Sequence, residues 1–110
     1  MSLTVIPISG QDLVAFDHES ITVADAAIGF TAGTITPAAP DRPAHRALVT
    51  AETAQMRYTY DSTTPSPTVG HLLEVGDVLE IEGISNVSNF RAIRVGATSG
   101  NLRCTFERFR

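Results

Sequence analysis

Three histidines and one cysteine are the residues of this 110-residue chain best suited to do chemistry, and each sits in a different setting. His18 lies between Asp17 and Glu19, groups that would suit a metal ion if they converged. Adjacent residues of an extended chain point to opposite faces, so one histidine with two split carboxylates makes no closed site and reads as a solvated loop. His45 follows a proline-rich stretch and His71 follows Gly70; both read as loop residues or turn donors, which need an acid or nucleophile brought close by folding before they can act. Cys104 alternates with Leu102 and Phe106, the pattern of a small buried apolar residue and not of a reactive thiol. A lone cysteine also leaves no internal disulfide and no cysteine zinc site. The sequence holds no nucleophile elbow, phosphate loop or dinucleotide fingerprint. Catalysis, a cofactor, a metal and a small-molecule substrate are therefore not expected.

Asp61 is the carboxylate with the clearest local task. The stretch Tyr58-Thr59-Tyr60-Asp61-Ser62-Thr63-Thr64-Pro65 reads as a strand entering a tight loop. There Asp61 and the threonines can hydrogen-bond neighbouring amides through Asx-type turns, while Pro65 and Pro67 stiffen the exit. Asp61, Thr64 and Pro65 are accordingly assigned as structural turn residues, since a calcium loop needs more carboxylates in register.

Charge is unevenly spread. Residues 1–82 hold three arginines and eleven acidic residues for a net charge of -8, whereas residues 83–110 hold five arginines and Glu107 for +4. Every basic residue is arginine, whose planar fork suits paired and interface sites, so Arg91, Arg94, Arg103 and Arg108 form the candidate interface. Parity places Arg91 and Arg94 on opposite strand faces and the chain is acidic overall, so a nucleic-acid partner is not expected. Two outcomes stay open for the arginines. Either they pair across strands with Glu80, Glu82 and Glu107, or they dock onto an acidic patch of another subunit, giving a homo-oligomer whose association weakens with salt.

The elements that must position these groups are short strands, because no window carries a helical apolar stripe of sufficient length. Leu3–Ile8 and Leu13–Phe16 predict a hairpin or arm, and Ile21–Val23 and Ile28–Phe30 two further segments. Residues 31–45, with Pro37, Pro40 and Pro43, form a Pro/Ala-rich connector that cannot be a central strand. Arg46–Glu52 and Gln55–Tyr60 alternate most clearly, the latter with Met56, Tyr58 and Tyr60 on one face and Arg57 and Thr59 on the other. Val78–Glu82, Phe90–Val95 after a polar loop, and Leu102–Phe109 complete the set, with Gly96–Asn101 as a hairpin loop between the last two. Asn86-Val87-Ser88 reads as a turn. This pattern predicts an all-β fold: one antiparallel β-sandwich domain over 1–110, Ig-like or jelly-roll-like. A 43% apolar composition supports one core, no apolar run is long enough to span a membrane, and Met1–Pro7 lacks the features of a secretion signal.

The Tyr58–Pro65 stretch resembles the Y-T-x-D-G-x-x-P-T turn of Ig-like sandwich modules, including the C-terminal domains attached to chitobiase-type enzymes. Ser62 stands where glycine is usual, and Ser66-Pro67-Thr68 where threonine directly follows the first proline. Over residues 46–110 the layout resembles small phage and prophage proteins that join this turn to a GHLL-x-x-GD segment, an NFRAIR strand and a final arginine-bearing strand. The matching residues are Gly70–Leu73 with Gly76-Asp77, Asn89–Arg94 and Gly100–Arg108. The resemblance implies a non-catalytic virion structural protein, made in the host cytoplasm and assembling with itself or with other virion proteins. The alternative it implies is an Ig-like carbohydrate-binding or accessory module, for which exposed aromatic residues would speak.

Overall fold

The computed structural model describes residues 12–110, so the expected Leu3–Ile8 segment lies outside the described residues. Along the chain run β1 (Leu13–Val23), α1 (Ala32–Ile35), β2 (Arg46–Glu52), β3 (Met56–Thr59), β4 (His71–Leu73), β5 (Val78–Glu82), α2 (Ile84–Asn89), β6 (Arg91–Arg94) and β7 (Gly100–Phe109). Two antiparallel sheets form, one in the order β1-β7-β2-β5 and one in the order β4-β3-β6. The protein is an all-β sandwich.

Alternation dictates the core. Ala47, Val49 and Ala51 of β2 are fully buried, as are Leu102 and Phe106 of β7, while Arg46, Leu48, Thr50 and Arg103 stay on the outer face. Register stacks these inward residues, with Val49 opposite both Leu79 and Cys104, and Ala47 opposite both Ile81 and Phe106. Phe30 joins the layers: its ring stacks on Phe90 at 4.6 Å and meets Phe106 edge-on at 5.0 Å. Gly100 is needed where it stands, because a β-carbon there would lie 2.6 Å from Sδ of the fully buried Met56.

Several expectations are corrected. Leu13–Phe16 and Ile21–Val23 are one strand, bulged between Ala15 and Asp17, so Asp17-His18-Glu19 is mid-strand and not a solvated loop. Pairing with β7 satisfies that backbone, and an edge strand tolerates polar side chains. The 31–45 connector contains one helical turn, α1, anchored by buried Ile35, whose carbonyl accepts from the Ala44 amide at 2.7 Å. Ile28–Phe30 contributes only a single bridge, Ile28 to Ala92. The loop expected before Phe90, with Asn86-Val87-Ser88, is α2, and Asn86 Nδ2 donates to the Glu82 carbonyl at 2.9 Å. His71 belongs to strand β4 and not to a loop. Gly96–Asn101 makes no hairpin: β6 and β7 belong to different sheets, and the chain crosses from one layer to the other between them.

Candidate functional site

An aromatic group lines one mouth of the sandwich. Antiparallel pairing of β3 with β4 sets Tyr58 opposite His71, and the strand period places Tyr60 on the same side as Tyr58. The Tyr58 ring lies 6.3 Å from Tyr60, 5.3 Å from His71 and 5.8 Å from the core ring of Phe90, and Tyr60 lies 6.1 Å from His71. Tyr58 is half-buried, and this burial, followed by the negative potential of Tyr60 and Asp77, raises its hydroxyl pKa. Tyr60, expected on the core face, stands at the rim with 43% of its surface exposed, because the strand ends at Thr59 and the chain turns away.

The loop after β3 is held from both sides. Asp61 Oδ1 accepts the Thr63 amide at 3.0 Å, the Asx turn anticipated for it, and that hydrogen bond holds the carboxyl below its ordinary range. Thr59 Oγ1 donates to the Thr63 carbonyl; Pro65 is buried and Thr64 exposed. On the opposite face of β3, Arg57 reaches over the loop, donating to the carbonyls of Pro67 at 2.9 Å and Gly70 at 3.0 Å. Gly70 takes a φ of 124°, and a β-carbon there would lie 2.8 Å from the Tyr58 carbonyl, so only glycine lets the chain return this close to β3. Two clefts result, sharing Tyr60 as a wall. One of about 500 Å³ runs along Tyr60, Asp61, Thr63 and His71, and one of about 310 Å³ separates Tyr58 and Tyr60 from Leu79, Glu82 and Asn86.

The same side of the sandwich carries two open strand edges. β4 and β5 each end their sheet and are joined by a tight turn, in which Asp77 Oδ2 accepts the Glu74 amide at 2.8 Å and the Gly76 amide donates to the Ala51 carbonyl at 2.8 Å. Leu72, Val75 and Val78 line these edges, exposed by 41%, 58% and 64%. The remaining edges are treated differently. Ile28 pairs reciprocally with Ala92 at 2.9 Å and covers β6, while β1 is bulged and charged.

The candidate arginines are divided between the sheets, Arg91 and Arg94 on β6 and Arg103 and Arg108 on β7. Arg94 Nη1 donates to Ser99 Oγ at 3.3 Å, Arg103 engages Glu52 at 3.0 Å and Ser20 at 2.7 Å, and the Arg108 guanidinium lies 4.4 Å from the centre of the Phe16 ring. Arg91 is exposed. The carboxylates expected as their partners converge on Arg46 instead. Its Nε donates to Glu107, and its Nη1 lies 3.7 Å from Glu80 and 3.8 Å from Glu82. The register explains this, since Arg46 is opposite both Glu82 and Glu107 on the outer face. The Glu107 hydrogen bond is the main cause of a raised Arg46 pKa.

Cys104 is buried, and desolvation, with a smaller contribution from Glu19, pushes its thiol up to about 12. No cluster of three or more His, Cys, Asp or Glu able to hold a metal occurs among the described residues. Comparison with known proteins finds no matching family model, no similar curated protein and no similar solved structure.

Proposed function

We propose that this protein is a non-catalytic structural component of a phage or prophage virion, working through contacts with copies of itself or with other virion proteins. The observation that carries the reading is the pair of open edges, β4 and β5, which share one side of the sandwich and expose Leu72, Val75 and Val78. Glu80 and Glu82 keep the far end of β5 charged, but from β4 through the turn to the start of β5 the unpaired edge exposes apolar side chains, and such a stretch is a template for another chain. The sequence resemblance over residues 46–110 supports the same reading. The four candidate arginines lie on strands of two different sheets, and Arg94, Arg103 and Arg108 already have partners within the chain, so the proposal rests on the open edge.

Light scattering over a concentration series tests it. The wild-type chain should associate and stay associated as salt rises from about 0.05 to 0.5 M, where the screening length falls from about 14 to 4 Å. Val78→Lys, at a position already exposed to water, should dissociate the assembly while leaving the melting temperature unchanged at a dilution where the wild type is itself monomeric. A strict monomer at high concentration, or association that salt abolishes and Val78→Lys leaves intact, would overturn the proposal.

A further inference from the structure

We infer that the hollow where β1 begins and β7 ends is an oxyanion site, which takes a dianionic phosphate or sulfate group between Arg42 and Arg108. Three of the eight arginines of the chain, Arg42, Arg108 and Arg110, line this one hollow of about 620 Å³, against a single lining acidic side chain among the described residues, Asp41. In a protein of net charge -4 that balance is the reverse of the average surface. β1 and β5 end opposite sides of their sheet, so the hollow is remote from the β5 edge and stands apart from the assembly reading.

The three arginines are not equivalent. Arg110 Nε is spent on Asp12 at 3.2 Å, whereas the guanidinium groups of Arg42 and Arg108 have neither a carboxylate nor a hydrogen-bond acceptor among the described residues. The register steps from Ala15 opposite Glu107 to Asp17 opposite Phe106, which leaves Phe16 as the extra residue of the bulge, and a bulge re-aims its side chain. Phe16 packs on the core, and the Arg108 guanidinium rests over its ring, 4.4 Å from the centre. This stacking holds the guanidinium by its face and leaves its N–H donors, which lie in its plane, free for a ligand. Arg42 comes from the wall of residues 40–42. There the Asp41 amide donates to the Ala38 carbonyl at 3.2 Å, and Pro43 restricts the backbone of the arginine before it. A phosphate or sulfate accepts paired N–H bonds from two guanidinium forks at once. A monocarboxylate carries half the charge and gains less against the repulsion of Asp41.

The full chain is titrated with inorganic phosphate, methyl phosphate, sulfate and acetate at about pH 8, where a phosphate monoester carries two charges, with chloride holding the ionic strength constant and backbone amide shifts as the readout. The dianions should saturate with a dissociation constant of about 1 mM or tighter, shifting amides of residues 13–16, 40–42 and 108–110, and acetate should bind at least about tenfold more weakly. Arg42→Ala, at an exposed position, should weaken phosphate about tenfold or more at an unchanged melting temperature, and Arg108→Lys should weaken it too, because a point charge replaces the fork. Arg91→Ala removes the same charge from exposed β6 and should leave binding as it is. The inference falls if no dianion saturates, if acetate binds as tightly as phosphate, or if Arg91→Ala weakens binding as much as Arg42→Ala.

Discussion

Replacing Ser62 by glycine should stabilise the protein by about 0.5–1 kcal/mol. Ser62 has a φ of 77°, in the left-handed region, where an L-residue is penalised by about 1–2 kcal/mol relative to the right-handed one. Glycine removes that penalty but brings extra freedom to the unfolded chain, which takes back about 0.5–1 kcal/mol. The serine side chain is exposed and makes no hydrogen bond among the described residues, so nothing else is lost. Thr53 is the internal comparison. It too has a positive φ, 80°, but its hydroxyl accepts a hydrogen bond from Asn101 at 2.9 Å, worth about 0.5–1.5 kcal/mol. Thr53→Gly should therefore be close to neutral. Urea denaturation followed by circular dichroism reads both variants. Ser62→Gly should raise the midpoint at constant slope and the melting temperature by about 2–6 °C, whereas β-branched Ser62→Val should lower both. A Ser62→Gly midpoint equal to or below wild type would show that the strain argument for this turn is wrong.

Phe106→Ala should destabilise by about 3–5 kcal/mol, a large share of the roughly 5–15 kcal/mol of a typical domain, because the ring is fully buried and packs edge-on against Phe30; chemical denaturation that shows less than about 1 kcal/mol contradicts the packing. Cys104 should resist iodoacetamide in the native state and react in urea. Its folded thiol pKa is raised from 9.0 to about 12, so it favours folding fully below pH 9 and ever less as pH climbs towards 12, by about 1.4 kcal/mol per unit. Denaturation curves for wild type and Cys104→Ala should therefore diverge over that window, and parallel curves would refute the burial argument.

The strands that carry their own alternation were legible in the sequence. Arg46–Glu52 and Val78–Glu82 appear with the expected bounds, because a half-buried strand writes its alternation every second residue. Pairing is not written that way. Nothing local distinguishes a β6–β7 hairpin from a crossover between layers, and the Arg46 cluster of Glu80, Glu82 and Glu107 exists only through the registers of β2 with both of its neighbours. Helix α2 escaped notice because six residues are too few to show a helical period. At the mouth, the shared parity of Tyr58 and Tyr60 was readable. The addition of His71 was not, since it depends on the pairing of β3 with β4.

The placement of β7 between β1 and β2 sets an order of events during synthesis. β3 and β4 are close in the chain and can pair as soon as both have emerged, and so can β2 and β5. β1 cannot: its ladder partner is β7, in a register that sets Leu13 opposite Phe109. Closing so long a loop is slow, because its entropy must be surrendered before any contact rewards it. Throughout that wait β1 has only water as a partner for its backbone groups. A ladder that closes this late is open to strand exchange, in which β1 of one copy takes β7 of another.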